Sequence, residues 1–202
     1  MTMNYSGIRD SLNTGDIVLF SGKGRISGMI KWFTGSPWSH VGMVLRLTEY
    51  NMLLLWESTT LSKIKDINTG KARQGVQLVP LSERMKSYEG KVGIRRLNMF
   101  DKYQAIDHDV LMKFREEVKG RPYEESKLEL FKSAYDGVFG GNEEDLSSIF
   151  CSELVAEAYQ RLGLLTEGTP SNEFTPADFG EDIPLINANL DDIIEIKEEC
   201  NG

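Results

Sequence analysis

Five short apolar segments in the first hundred residues constrain the fold of this chain more than any other feature. Each is bounded by glycine, proline or polar residues, and each is rich in the aliphatic and aromatic side chains that strands prefer. They are Ile17–Phe20, Trp38–Leu47, Met52–Ser58, Val76–Val79 and Val92–Leu97. Because the connections between them are mostly short, the sequence predicts an antiparallel sheet or a partial barrel.

Helical patterns fill most of the remaining chain. Apolar residues recur with the spacing of one helix face in Arg25–Phe33, Asp101–Lys119, Leu128–Val138 and Ser147–Gly163. A last strand is predicted over Ile193–Lys197. We therefore expect an α+β fold in which helices pack against the sheet. No linker or repeat divides the chain, so residues 1–202 are expected to form a single domain.

The charge balance argues against some classes of partner. The chain carries 31 acidic and 23 basic side chains, and its net charge is −8, with no basic stripe that would bind nucleic acid. No apolar run is long enough to span a bilayer. The N-terminal residues lack the basic and apolar segments of a signal peptide, and we expect a cytoplasmic protein. The sequence leaves the oligomeric state open.

Motifs for cofactors and metals are missing from the sequence. There is no glycine-rich nucleotide-binding pattern and no zinc-protease pattern. Two cysteines, Cys151 and Cys200, and two histidines, His40 and His108, are too few and too scattered for a structural zinc site. His108 falls away from the apolar face of its predicted helix, so we expect it to be solvated. No cofactor and no metal is predicted.

Cys151 lies near the start of the predicted helix Ser147–Gly163, with Ser147 or Ser148 as the N-cap. A thiol in the first turn of a helix lies close to unpaired backbone N–H groups, which favour a thiolate and can bind an oxyanion. The same spacing also suits a buried face, because free cysteines are commonly buried. That face would be Cys151, Leu154, Val155, Ala158 and Leu162. On this segment alone, a packed core thiol is the better-supported interpretation.

His40 and Glu57 lie on the second and third predicted strands. If Leu47 pairs with Met52 across the polar loop 48–51, His40 and Glu57 become diagonal neighbours on one face of the sheet. A loop longer or shorter by one residue would place them on opposite faces. Gly42, beside His40, indicates either room for an approaching group or a bulge. The register therefore permits a pair between the histidine and the carboxylate.

An ordered set of short motifs resembles a known family. The motifs are Gly15–Leu19, Trp38–Val44, Trp56–Ser58, Gly120–Tyr123, Phe150–Val155 and Phe174–Phe179. Together they resemble the circularly permuted branch of the NlpC-type papain-like cysteine hydrolases. They are similar to YiiX-like proteins and, more distantly, to LRAT-like acyltransferases. The histidine precedes the cysteine in this set, the reverse of ordinary papain.

The resemblance implies a permuted papain-like fold and a role for each motif residue. Cys151 would attack a carbonyl, His40 would act as general base and then acid, and Glu57 would orient His40. Tyr123 and Trp38 would line the substrate cleft. Members of the family that cut cell-wall peptides are generally exported, whereas this sequence shows no signal peptide. We therefore expect an intracellular amide, ester or thioester as substrate.

Three hypotheses for the function follow. The first is a cysteine hydrolase that acts through an acyl-enzyme on a small-molecule, peptide or lipid-like acyl substrate. The second is an acyltransferase or lipid-binding module of the same fold, with peripheral lipid contact through the stripe Ile26, Met29, Ile30 and Phe33. The third is a structural protein with a core cysteine, which leaves the ordered set of motifs unexplained.

Overall fold

The computed structural model describes residues 1–23, 34–59, 63–101, 105–121 and 147–197, with the backbone alone for 147–150. All structural statements refer to these residues. The predicted helices Arg25–Phe33 and Leu128–Val138 lie outside them, and so does Tyr123.

Nine strands form two sheets in the described residues. They are β1 (Thr2–Asn4), β2 (Ile17–Gly22), β3 (His40–Leu47), β4 (Met52–Thr59), β5 (Gly75–Pro80), β6 (Gly90–Arg95), β7 (Leu97–Met99), β8 (Ala188–Leu190) and β9 (Ile194–Lys197). Seven of them make one sheet in the order β1, β9, β6, β2, β3, β4, β5, while β7 and β8 pair separately. The predicted antiparallel sheet is confirmed, except that β1 and β9 run parallel.

Five α-helices accompany the sheets in the same part of the chain. They are α1 (Tyr5–Ile8), α2 (Leu81–Ser87), α3 (His108–Val118), α4 (Ser147–Arg161) and α5 (Pro176–Gly180). Helix α4 packs on β3 and β4, while α2 contacts β4 and β5. The α+β class predicted from the sequence is therefore confirmed, with the helices on the large sheet as expected.

Helix α3 begins later than the sequence predicts. The Asp107 side chain accepts hydrogen bonds from the backbone N–H groups of Asp109 and Val110, both at 3.0 Å, and so caps the helix at this point. Val110 is exposed in this helix, whereas Leu111 and Phe114 are buried. A predicted start at Asp101 is wrong because this cap sets the first turn.

The central strands are buried on both faces, which explains their continuous apolar runs. Ile17 and Leu19 of β2 pack in a cluster with α3 and α4. The alternate residues Val18 and Phe20 pack in a second cluster that includes Leu81 of α2. The sheet therefore separates two cores, and side chains that alternate along one strand enter different ones.

The entry to β2 is tied down by Gly15 and Asp16. Gly15 has a φ of 96°, and a side chain there would overlap Ile106 and Leu97. The Asp16 carboxylate accepts hydrogen bonds from the backbone N–H groups of Asn13 at 2.7 Å and Leu97 at 2.8 Å. This contact joins the start of β2 to the start of β7.

Candidate active site

His40 and Glu57 meet across the β3–β4 hairpin in the predicted register. The strand ladder runs from Leu47 opposite Met52 to Met43 opposite Trp56. His40 Nε2 lies 2.7 Å from Glu57 Oε2. Glu57 is completely buried and His40 is 7% exposed. The hairpin thus brings a histidine and a carboxylate into a direct, buried hydrogen bond.

Two further side chains that the sequence analysis did not identify complete the surroundings of Glu57. Arg84 of α2 donates from Nη2 to Glu57 Oε2 at 2.9 Å and to Thr59 Oγ1 at 3.3 Å. Gln77, directly opposite Glu57 on β5, donates from Nε2 to Glu57 Oε1 at 2.9 Å. Glu57 is therefore held by donors from three elements, β3, β5 and α2.

The Glu57 carboxylate stays ionised despite its burial. Loss of solvent raises the pKa of a buried carboxyl group. The charge of Arg84 and the hydrogen bonds from His40 and Gln77 lower it by more, so the pKa of Glu57 lies well below its usual value. A permanent negative charge therefore faces the Nε2 side of the His40 ring.

Cys151 is completely buried within α4. It belongs to the core cluster that also contains Leu154, Val155 and Ala158, so the predicted buried face is confirmed for these residues. It is the fifth residue of α4, one or two residues further into the helix than an N-cap at Ser147 or Ser148 predicts.

The His40 ring lies between Cys151 and Glu57. Burial lowers the pKa of the imidazole, but the charge and hydrogen bonding of Cys151, followed by those of Glu57, raise it by more, and the net pKa lies above the ordinary 6.5. Nδ1 is buried and makes no well-aligned hydrogen bond within the described residues. With Nε2 taken by Glu57, Nδ1 is the nitrogen left for proton exchange with the thiol.

Tyr88 is a further polar group near this cluster. Burial raises the pKa of its phenol to about 12, and the negative charges of Glu57 and Cys151 act in the same direction, opposed by Arg84 and Ser39. Its ring contacts Phe20 at a centroid separation of 4.8 Å. Tyr88 is therefore a neutral hydrogen-bond donor at neutral pH.

Comparison with known proteins places this geometry in a family. Residues 11–172 match the family described as permuted papain-like amidase enzyme, YaeF/YiiX, C92 family. The chain belongs to this family. The predicted resemblance to YiiX-like proteins and the permuted papain-like fold are thereby confirmed. The wider likeness to NlpC-type hydrolases and LRAT-like acyltransferases stays a prediction.

Other comparisons add a similar structure and no curated relative. No curated protein matches the chain. A solved structure described as the metalloprotein yiiX from Escherichia coli O157:H7 is similar, with a TM-score of 0.48 and 19% sequence identity. That alignment covers 93% of this chain and 98% of the other.

Trp38, predicted to line the cleft of this C92-family chain, is 4% exposed and belongs to the core. Its indole packs against Gly93 and Gly180, where an added side-chain carbon would overlap the ring. Gly42, in turn, leaves space that Leu55 fills, rather than space for a substrate. Contact of Trp38 with substrate stays a prediction, and Tyr123 lies outside the described residues.

The described residues of this family member offer neither a cluster of metal ligands nor a membrane-spanning helix. Among the residues that the structure describes, no group of three or more His, Cys, Asp or Glu side chains is placed to hold a metal ion. No helix in the described part of the chain is long and apolar enough to cross a membrane.

Proposed function

We propose that this C92-family chain is a cysteine hydrolase whose nucleophile is Cys151, with His40 as base and acid and Glu57 as the group that orients His40. The observation that carries this proposal is the position of the imidazole, which is hydrogen-bonded to Glu57 through Nε2 and influenced by Cys151 on its other side. A nucleophile, a base and an orienting carboxylate are the three parts that acyl transfer requires.

The reaction proceeds in two halves. Cys151 gives its proton to His40, and its Sγ attacks the acyl carbonyl carbon. The collapse of the tetrahedral intermediate breaks the bond to the leaving group, which takes that proton from His40. A thioester between the acyl group and Cys151 results. His40 then removes a proton from water as the water attacks the thioester, and cleavage of the C–S bond returns the thiol and releases the acid.

The description of the family supports one substrate class over the others. Its members are described as amidases, which favours an amide bond ahead of an ester or thioester. The acyl group could belong to a small molecule, a peptide or a lipid. The alternative, an acyltransferase or lipid-binding module, was predicted from the stripe within Arg25–Phe33. That segment lies outside the described residues, so this alternative stays a prediction from the sequence.

The pH dependence of Cys151 alkylation tests the proposal. We would measure the rate of reaction with iodoacetamide by mass spectrometry between pH 4 and 10, in the wild type and in His40→Ala. An ordinary thiol has a pKa of about 8.5. We expect the rate at Cys151 to persist below pH 7 in the wild type, because the imidazolium stabilises a thiolate, and to lose this acidic reactivity in His40→Ala.

Two controls separate activation of the Cys151 thiol by His40 from access of the reagent to that thiol. Cys200 reports the behaviour of a second thiol in the same molecule, and His108→Ala removes an exposed histidine instead of the buried one. The midpoint of the pH profile, unlike the absolute rate, does not depend on how easily the reagent reaches a buried thiol. A Cys151 midpoint equal to that of Cys200 in both proteins, or reaction only after unfolding, would support the core-cysteine hypothesis instead.

A further inference from the structure

Arg84 is a buried cation in the core beside the proposed site. Its side chain is 2% exposed, and Nη2 binds the same oxygen of Glu57 that His40 Nε2 contacts. The guanidinium also lies over the ring of Phe20, 5.7 Å from the centroid. An arginine this deeply buried needs an anionic partner, and Glu57 supplies it.

The formal charges of the cluster show what this cation does. The groups that face one another are Cys151 from α4, His40 from β3, Glu57 from β4 and Arg84 from α2, with the neutral side chains of Gln77 and Tyr88 beside them. With a neutral thiol and a neutral imidazole, Glu57 and Arg84 cancel. With a thiolate and an imidazolium, the four charges again cancel.

Removal of Arg84 would upset this balance. The cluster with a thiolate and an imidazolium would then carry one net negative charge in a site where Glu57 and Cys151 are fully buried. Uptake of a proton relieves a buried excess charge. Two anions would then flank one imidazolium, and protonation of the Cys151 thiolate is the simplest relief. As the pH falls, the thiolate would therefore be protonated at a higher pH than in the wild type.

We propose that Arg84 is a positioning residue that fixes Glu57 and keeps the buried cluster electrically neutral, so that the thiolate–imidazolium pair persists at acidic pH. This inference rests on the proposed function, because it concerns the same thiolate. The role is distinct from that of Glu57, which faces the imidazole directly, since Arg84 acts on His40 and Cys151 through the carboxylate.

The test compares variants of Arg84 in the same alkylation experiment. We expect the acidic midpoint of the Cys151 profile to rise by at least one pH unit in Arg84→Met, within the range that a neighbouring charge produces. In Arg84→Lys, which keeps the charge, the midpoint should stay within about half a unit of the wild type. Lys86→Met removes an exposed cation from the same helix and should leave the midpoint unchanged.

A double variant keeps the test valid if Arg84→Met does not fold, since that protein would hold a buried carboxylate that has lost its arginine. In Glu57→Gln/Arg84→Met both charges are gone, and loss of the thiol proton again takes the cluster from one positive charge to neutral, as in the wild type. Its acidic midpoint should therefore return to within about half a unit of the wild-type value. Circular dichroism would establish the fold of each variant.

The possible outcomes separate this inference from the proposed function. A wild-type profile with no reaction at acidic pH would overturn the proposed function and this inference with it. If the wild type reacts at acidic pH but the midpoint of the double variant is raised as far as that of Arg84→Met, the inference alone is overturned. Equal midpoints in Arg84→Met and Arg84→Lys would do the same, because they would show that the charge is irrelevant.

Discussion

At the scale of single residues, the site depends on which hydrogen-bond donors each oxygen of the Glu57 carboxylate accepts from. Oε2 of Glu57 accepts from both His40 and Arg84, and Oε1 accepts from Gln77. The residue faces a base on one side and a fixed cation on the other. The charge of Glu57 therefore raises the affinity of His40 for a proton. The contacts with Arg84 and Gln77, which do not involve His40, fix the orientation of the Glu57 carboxylate.

Replacement of Glu57 by glutamine tests the effect of that charge on the imidazole. We expect Glu57→Gln to lower the pKa of His40 by at least one unit, because the ring loses its anionic partner while a hydrogen-bond acceptor remains. Gln77 Oε1, buried without a partner in the described residues, becomes available to accept from the new amide. NMR titration of the imidazole C–H signals would measure the change.

The chain is well suited to this measurement because it contains only two histidines. His108→Gln identifies the signal of the exposed ring by its loss and leaves that of His40. An unchanged His40 midpoint in Glu57→Gln would mean that Cys151 alone accounts for the raised pKa, and the effect of the Glu57 charge on the imidazole would have to be withdrawn.

At the scale of elements, the β3–β4 hairpin is the frame of the site. Its loop forms a 3-10 turn over Thr48–Tyr50, closed by Asn51 with a φ of 47°. This turn sets the register that aligns His40 with Glu57. Any change that shifts one strand along the other therefore acts on the proposed catalytic pair as well as on stability.

Gly42→Ala should perturb this hairpin from within. A Cβ at Gly42 would lie 2.8 Å from Leu55 Cδ1 and 3.2 Å from the carbonyl oxygen of Trp56. We expect a loss of about 1–3 kcal/mol in the free energy of unfolding, as for other overpacked cores. Urea denaturation would measure it.

A double-mutant cycle with Leu55→Ala identifies the cause. Leu55→Ala removes the side-chain atoms nearest to the added carbon, so Gly42→Ala should cost less in that background than in the wild type. Strictly additive losses would show that contact with the Trp56 backbone, rather than with Leu55, is responsible.

Elements with a strong sequence signal were predicted well, and those without one were missed. The hairpin register follows from a short polar loop between two clear apolar runs. Helix α2, which carries Arg84, has seven residues and shows too few turns for a periodic stripe. Strands β7 and β8 have three residues each and exist because they pair with each other across the chain. Tertiary contacts, not local pattern, specify such short elements.

The same distinction holds within the site. His40 and Glu57 could be paired from strand register alone, whereas Cys151 could be placed only on a helix face, because no local pattern shows which strands that face contacts. Gln77 lies on a predicted strand, yet nothing in a run such as Val76–Val79 indicates that a glutamine will face a buried carboxylate. Its role depends on the order of strands in the sheet.

At the scale of the whole molecule, two buried carboxylates respond to pH in opposite ways. Arg84 and hydrogen bonds keep Glu57 ionised. For Asp16, burial outweighs its backbone hydrogen bonds and raises the pKa from 3.8 to about 6. The folded chain therefore binds the Asp16 proton more tightly than the unfolded chain does. This contribution to stability is fully present below about pH 4 and is lost as the pH rises to about 6.

Asp16→Asn should remove this pH dependence. The amide keeps one acceptor oxygen, so one of the N–H groups of Asn13 and Leu97 loses its partner and the variant is less stable at pH 4. We expect the stability difference from the wild type to shrink by up to about 3 kcal/mol between pH 4 and 7. Urea denaturation at a series of pH values measures this difference. A stability difference that stays constant with pH would contradict the raised pKa of Asp16.

The parallel pairing of β1 with β9 has a consequence for the order in which the chain assembles. Thr2 lies opposite Glu195, so β1 is made before the other described strands and finds its partner only after nearly all of those elements have been made. Until β9 is made, β1 has no strand partner and β6 is left as the edge of the sheet, with unpaired N–H and C=O groups open to association with other strands. The hairpin that holds His40 and Glu57 needs no such wait, since its two strands follow each other directly. The proposed catalytic pair can thus form early in synthesis, while the pairing of β9 with β6 and β1 comes last, as a slowly formed contact between distant parts of the sequence.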